Sequence, residues 1–174
     1  KNVAFFLPYT TNQDIFTFYK ENNFIMNKRL LFSSIIAFGV FVIFSCKPKV
    51  APVSERIAKI WTASSVKENG TEVYKTGGTA NTKPGYSTYK LDLSTPPNVT
   101  IREIDGGTYT GTYTVTATTL SIKGLTPQPT GTGGNLDFTI TSLSDEGTNL
   151  VLTATTPYPK TGNTTNTYTL TTGN

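Results

Sequence analysis

The sequence has no histidine and a single cysteine, Cys46, among its 174 residues. Histidine is the commonest general base and the commonest zinc ligand, so its absence removes the usual starting point for both kinds of site. One cysteine excludes an internal disulfide framework and any Cys-x-x-Cys metal or redox motif. The net charge of +4 is too weak and too scattered for a nucleic-acid-binding surface. We therefore expect no metal, no cofactor and no nucleic-acid partner.

Acidic residues are too few and too badly placed to suggest catalysis. Asp105, Asp137, Asp145 and Glu146 are the only clustered acids, and three of these four lie in turn-like sequence, where aspartate bonds to the local backbone. A serine or threonine nucleophile would have only lysine or a carboxylate as its base. Calcium needs about 6–8 oxygen ligands, and no spaced acidic loop supplies them. The sequence therefore predicts a protein that is not an enzyme.

The lone cysteine ends the most apolar run of the chain. Lys28 and Arg29 precede the apolar residues 30–44, and small Ser45 comes directly before Cys46. This order is typical of a secretory signal peptide, and the run is short for a bilayer span of roughly 20 residues. We interpret residues 26–45 as a signal peptide; the alternative is an uncleaved membrane helix with an incidental cysteine.

The end of that run resembles a bacterial lipobox. Ile43 occupies its aliphatic position and Ser45 its small position before Cys46. The resemblance implies cleavage before Cys46 and acylation of its sulfur and its new amine. Several acyl chains, at about 0.8 kcal/mol per buried CH₂, anchor a protein stably to a membrane. Cys46 is thus predicted to be the lipidation site, and a membrane the partner of the lipid.

The segments on either side of the signal peptide have different characters. Residues 1–25 begin without methionine, so we interpret them as a non-native upstream extension ahead of Met26; the alternative is a genuine N-terminal extension. Residues 46–55 contain proline and lack apolar periodicity, which indicates a tether. Lys47 and Lys49 stand where surface-exported lipoproteins of the Bacteroidetes-like group often carry acids. We expect an outer-membrane anchor that faces the periplasm.

The remainder, residues 56–174, is rich in threonine and interrupted throughout by glycine and proline. Threonine is β-branched and favours pleated strands. Only one helical turn is expected, near Ile57, with Ser54 as its cap. The clearest strand lies within residues 106–124, where threonines alternate with Tyr109, Gly111, Tyr113 and Val115. Gly111 inside this strand predicts a bend or a close approach.

Turn signals divide the domain into about nine short strands. Asn69-Gly70 predicts a tight hairpin, and a bulge is expected near Thr141 and Ser142. Further strands are predicted at residues 60–66, 72–75, 86–93, 99–103, 136–140, 150–152 and 165–171. Consecutive hairpins favour an all-β, antiparallel up-and-down β-barrel of 8–9 strands over a β-sandwich, and closure removes exposed edges.

The order of short motifs resembles the lipocalin-like domains of Bacteroidetes lipoproteins over residues 56–172. Trp61 lies on the first strand, before Asn69-Gly70. A Gly-Thr-Tyr-Thr-Val strand at 111–115, Leu-Ser-Ile at 120–122 and a Phe-Thr-Ile…Leu-Val-Leu hairpin follow. The resemblance implies a lipocalin-like barrel on a lipid anchor.

A barrel of eight strands is just wide enough to be filled by side chains or to hold one small ligand. Large rings decide between these outcomes, and tyrosine suits an amphipathic ligand because it combines an apolar body with a polar tip. The candidate residues for binding a small hydrophobic molecule are Trp61, Tyr109, Tyr113, Phe138 and Tyr168.

Two alternatives stay open: an accessory module that docks an envelope partner, and a carbohydrate-binding domain. The second would present exposed Tyr86, Tyr89 and Tyr158 to sugar rings. The Gly- and Thr-rich loops at 77–85 and 124–134 are candidates for a lid over the barrel.

Overall fold

The computed structural model describes residues 49–172. Cys46, the interpreted signal peptide 26–45 and the extension 1–25 lie outside the described residues. Within residues 49–172, no helix is both long enough and apolar enough to cross a bilayer. These residues form one short α-helix, α1 (Val53–Ile57), two 3-10 helices (Pro84–Thr88 and Pro159–Thr161) and nine β-strands.

All nine strands belong to one antiparallel sheet. They are β1 (Ile60–Glu68), β2 (Thr71–Lys75), β3 (Lys90–Thr95), β4 (Asn98–Arg102), β5 (Thr108–Val115), β6 (Thr119–Thr126), β7 (Leu136–Leu143), β8 (Asn149–Ala154) and β9 (Asn166–Thr172). Strands β3 to β8 each pair with the next strand in sequence, and β1 pairs with both β3 and β9. The sheet therefore closes into an up-and-down barrel of eight strands with β2 as an additional strand. The predicted fold class is confirmed.

Strand β1 accommodates the additional strand β2 because the two halves of β1 have different neighbours. On one edge its first residues pair with β3, and its later residues pair with β2. On the other edge β9 runs along nearly its whole length. The β1–β2 connection is the predicted Asn69-Gly70 turn, in which both residues have positive φ (47° and 82°), as a tight hairpin of this type requires.

The core occupies the barrel interior and is built by the alternation of side chains along each strand. In β5, Tyr109 and Tyr113 point inward and are buried, whereas Thr108, Thr110 and Thr112 are exposed. Trp61 at the start of β1 is fully buried. The buried hydrophobic residues form one cluster, whose first member is Ile57 and whose last is Leu170. The closed sheet therefore encloses a single core.

Helix α1 covers one end of the barrel, here called the α1 end. Ile57 is fully buried, and its carbonyl accepts a hydrogen bond from Trp61 Nε1 at 2.8 Å. Arg56 donates to the carbonyls of Leu143 (3.2 Å) and Ser144 (2.9 Å) at the β7–β8 turn. The prediction that Ser54 caps this helix is wrong: the N-cap residue is Pro52, and no side chain caps it.

The opposite end, here called the mouth, carries the β4–β5, β6–β7 and β8–β9 loops together with segment 76–89. Part of this segment, from residue 86 on, was predicted as strand, but residues Pro84–Thr88 form a 3-10 helix and β3 begins at Lys90. Pro84 has no N–H for a sheet ladder, and its fixed φ suits the start of a helix. Gly85 packs tightly here, since a Cβ would lie 2.5 Å from the Ile104 carbonyl oxygen.

Two predicted irregularities are confirmed. The register of β7 and β8 shifts between Ile140 and Ser142, which is the expected bulge. At Gly111 a Cβ would lie 2.6 Å from the Lys123 carbonyl oxygen, so the close approach between β5 and β6 needs a residue without a side chain.

Candidate functional site

A cavity of about 110 Å³ lies at the mouth. One wall is the β6–β7 loop with the start of β7, and another is the chain that follows β8. The floor is made by inward-facing side chains of the barrel. The side chains that matter for its chemistry are Tyr89, Glu103, Phe138, Tyr158 and Tyr168.

Aromatic rings hold the floor of the cavity in a fixed arrangement. Tyr89 and Tyr168 stack with their centroids 5.0 Å apart and their planes 20° apart. Phe138 meets Tyr168 edge to face at 6.0 Å. Such pairs contribute about 0.5–1.5 kcal/mol each beyond the burial of their area, so this surface is preformed.

The five ring residues predicted for ligand binding do not all meet at this cavity. Phe138 and Tyr168 line it. Trp61 and Tyr113 do not line it. Trp61 lies at the α1 end, where its Nε1 donates to the Ile57 carbonyl. Tyr113 is buried, and its hydroxyl donates to the Leu93 carbonyl at 2.9 Å. Tyr109 stands at the mouth beside the cavity, where its hydroxyl accepts a hydrogen bond from Lys160 at 2.6 Å.

The surface features on which the two alternatives depend are not found in the described residues. Tyr86, Tyr89 and Tyr158 are buried, so the expectation of exposed tyrosines for sugar stacking is wrong. Only Val50 and Ile60 are exposed large hydrophobic residues among positions 49–172, too few for the contiguous apolar patch of a docking surface.

Glu103 is the most important cavity residue that the sequence analysis missed. Its side chain is only 2% exposed, and its Oε1 accepts a hydrogen bond from the Tyr158 hydroxyl at 2.9 Å. Burial raises the pKa of the Glu103 carboxyl, and the Tyr158 hydrogen bond and the charge of Lys160 partly offset this. The signal was available, because Glu103 continues the inward alternation of Val99 and Ile101 in β4. No comparable signal marks Tyr158, which lies outside the strands.

A second buried glutamate stands at the same end of the barrel. Glu68 ends β1 in phase with buried Val66, and its Oε1 accepts a hydrogen bond from the Tyr86 hydroxyl at 2.8 Å. Its Oε2 pairs with the ammonium group of Lys83. Burial and the neighbouring acids raise the pKa of Tyr86 far above its ordinary value, so this phenol stays a donor.

Lys160 lies beside the cavity but is engaged elsewhere. Its Nζ is 3.0 and 2.9 Å from the two carboxylate oxygens of Asp105, and it lies 4.7 Å from the ring centroid of Tyr109. The hydrogen bond from Lys160 and the Gly107 N–H hold the pKa of Asp105 below its ordinary value. This ion pair between half-buried Lys160 and exposed Asp105 forms a rim beside the cavity.

The mouth combines an aromatic floor with one buried carboxyl, that of Glu103, and the phenol groups of Tyr89, Tyr158 and Tyr168. Such a set can orient a small ligand by hydrogen bonding and charge. Among residues 49–172, no group of three or more acidic, cysteine or histidine side chains is placed to hold a metal ion.

Comparison with known proteins gives two similar solved structures. No known protein family and no curated protein matches the sequence. A lipocalin-like protein from Bacteroides uniformis is similar with a TM-score of 0.46 and 16% identity, covering 68% of this chain and 99% of its own. An uncharacterized protein from Bacteroides eggerthii has a TM-score of 0.42 and 11% identity, covering 66% of this chain and 98% of its own.

The strand pairing itself defines the class. The chain contains a closed antiparallel up-and-down barrel of eight strands with one additional strand. A barrel of this size is either filled by its own side chains or holds one small ligand.

Proposed function

We propose that this protein is a lipid-anchored binding module of a bacterial envelope, without catalytic activity, whose barrel mouth holds a small amphipathic molecule. The observation that supports binding most strongly is the cavity itself. It is bounded by preformed rings, and it contains a buried carboxyl group and a buried phenol. Its lining combines polar groups with aromatic rings, and a few convergent polar groups are what orient a ligand in a small-molecule site.

The anchoring part of the proposal is supported by the sequence before the barrel. Basic Lys28 and Arg29, an apolar run and Ser45 stand in the order that precedes a lipidated cysteine. Residues 46–52 then leave a short connection to helix α1, which begins at Val53. Acyl chains on Cys46 would hold the barrel at the outer membrane, facing the periplasm.

Binding is tested on the barrel domain, residues 47–174, once its cooperative unfolding has been verified. A thermal-shift screen with short alkyl alcohols and alkylamines, together with fatty acids, bile acids, haem and glycans, is followed by NMR titration of any hit. We expect an amphipathic compound to stabilise the domain and to shift the resonances of Phe138 and Tyr168.

The matched variants are Ala154→Leu and Ala117→Leu. Ala154 lines the cavity, whereas Ala117 lies in the exposed β5–β6 turn. The first substitution fills the cavity and should weaken binding at least tenfold; the second makes the same chemical change elsewhere and should leave binding intact. Equal affinity in both variants would place the ligand outside the mouth.

The anchor is tested in the full chain by metabolic labelling with a clickable fatty acid. We expect the wild-type product to be labelled and to fractionate with the outer membrane. The Cys46→Ser variant should lose both properties. Equal labelling of the two proteins would refute lipidation at this cysteine.

A further inference from the structure

Two buried glutamates at the mouth share the same kind of hydrogen-bond donor. Glu68 and Glu103 are the buried acids of the described residues, at 7% and 2% exposure. Each accepts a hydrogen bond from a buried tyrosine hydroxyl, Tyr86 at 2.8 Å and Tyr158 at 2.9 Å. The chain thus repeats one arrangement, an inward glutamate with a phenol donor, at the end of β1 and directly after β4.

The two arrangements differ in the cation. Lys83 pairs with Glu68. Within the part of the chain that the structure describes, no lysine or arginine lies within 4.0 Å of the Glu103 carboxylate. Lys160 affects Glu103 by its charge, but it donates its hydrogen bonds to Asp105 and Tyr109.

The space next to Glu103 is the cavity, not packed protein. Its other walls include the rings of Tyr89, Phe138 and Tyr168. Aromatic faces attract cations, most strongly where water is excluded. A buried carboxyl and several rings around one space are the groups that recognise an organic ammonium ion.

We propose that the mouth cavity binds a small primary ammonium compound, whose charged nitrogen pairs with Glu103 and whose carbon chain lies against Phe138 and Tyr168. The ammonium group of the ligand pairs with Glu103, as the ammonium group of Lys83 pairs with Glu68. This inference rests on the proposed binding function and specifies the chemical class of its ligand.

The size of the cavity limits the ligand. About 110 Å³ is somewhat smaller than an engineered cavity of about 150 Å³ that accepts benzene. A chain of about four carbons with a terminal ammonium group fits this volume. An anion of the same length would place its charge beside Glu103, so the cavity should reject it.

The surroundings of Glu103 predict how pH affects binding. Burial raises the pKa of its carboxyl, so the uncharged form persists to a higher pH here than it does in water. A bound ammonium ion favours the carboxylate, and its affinity should therefore fall as pH is lowered through the pKa of Glu103. The charged and titratable groups that act on Glu103 are Asp105, Lys160, Tyr86, Tyr89, Tyr158 and Tyr168. Asp137, which is paired with Lys123, lines the same cavity.

The test compares three probes of equal length: butylammonium, 1-butanol and butyrate. Each is titrated into the isotope-labelled barrel domain in sodium phosphate, since amine buffers would compete, and binding is followed by NMR shifts. We expect butylammonium to bind at least tenfold more tightly than 1-butanol, and butyrate not to bind.

The variants are Glu103→Gln and the control Glu146→Gln. Glu103→Gln keeps the shape of the side chain. It should lower the affinity for butylammonium at least tenfold and leave the affinity for 1-butanol unchanged. Glu146 is exposed at the α1 end, so Glu146→Gln removes the same charge far from the mouth and should change neither affinity.

The outcomes separate the two proposals. If butylammonium and 1-butanol bind equally and Glu103→Gln changes neither, the ammonium inference is overturned while the cavity stands as a binding site. If amphipathic compounds from the wider screen bind but butylammonium does not, the same conclusion holds. If none binds, the proposed function fails as well.

A wild-type measurement covers the case in which Glu103→Gln does not fold. Butylammonium stays charged below pH 8, because alkylamines ionise near pH 10. Its affinity relative to 1-butanol should fall as pH is lowered from 8 toward 4.5. A constant ratio over that range would overturn the inference.

Discussion

Glu68 and Glu103 show two ways of placing a carboxyl group inside one barrel. At Glu68 the chain supplies both a phenol and an ammonium group, so the buried group is completed by the fold. At Glu103 the chain supplies a phenol and the backbone N–H of Ile104 but no ammonium group, and the cavity lies beside the carboxyl. The first arrangement stabilises the structure, and the second leaves a buried group available to a ligand.

The cause of the difference lies in the segments that follow the strands. Lys83 comes directly before Pro84, and the 3-10 helix that begins there places Tyr86 and Lys83 on the same glutamate. In the other 3-10 helix, Lys160 follows Pro159 and turns toward the exposed Asp105. Two similar Pro-initiated turns therefore direct their lysines to different acids.

The largest effect that distinguishes the two glutamates is expected from Lys83→Met. Removing the ammonium group leaves the Glu68 carboxylate buried without its cation, which costs several kcal/mol for a fully buried pair. The Lys83 side chain is 34% exposed, so we expect a smaller loss, about 2 kcal/mol in the free energy of unfolding. Urea denaturation at neutral pH measures it.

Lys123→Met is the matched control. Lys123 pairs with Asp137 on the barrel surface, where the two side chains are 50% and 42% exposed. Exposed pairs of this kind contribute about 0–1 kcal/mol. If both substitutions change stability equally, the buried pair at Glu68 has no special role in the fold.

A smaller effect is expected from removing the phenol donors. Tyr86→Phe leaves one oxygen of Glu68 without its partner, and we expect a loss of about 1.5 kcal/mol. Tyr158→Phe makes the same change at Glu103, where water in the cavity can replace the lost donor, so about 0.5–1 kcal/mol is expected. Chemical denaturation of the two single variants measures both losses. A larger loss for Tyr158→Phe would mean that the cavity does not hydrate Glu103.

The barrel could be predicted from local patterns because its strands alternate. Thr108, Thr110 and Thr112 face out and Tyr109 and Tyr113 face in, as the period of two requires. The same alternation places Glu68 and Glu103 inside, where a charged group is rare enough to mark a site. Strand count, closure and the bulge after Ile140 follow from such local signals.

The composition of the site could not be predicted in the same way. Alternation tells which residues face inward, but not how far along the barrel each one lies, since that depends on register. Trp61 and Phe138 were therefore grouped together, although one lies at the α1 end and the other at the mouth. The partners of the two glutamates come from segments 15 and 55 residues away, which no local pattern connects.

The smallest expected effect is in the pH dependence of stability. The pKa of Glu103 is raised above its ordinary value of 4.5, so the folded protein binds this proton more tightly than the unfolded chain. The stabilisation from Glu103 is therefore complete below pH 4.5 and is lost as pH rises through the pKa of the folded state. The pKa values of Asp105 and Asp137 are lowered from 3.8, so these groups change the stability mainly below pH 3.8, outside the range of pH 4.5 to 8. In denaturation curves from pH 4.5 to 8, Glu103→Gln should gain stability relative to wild type as pH rises, whereas Glu146→Gln should run parallel to wild type. A Glu103→Gln curve parallel to that of the wild type would show that water hydrates this carboxyl as well as it hydrates an exposed one. Glu68 and Glu103 would then differ in their packing but not in their solvation.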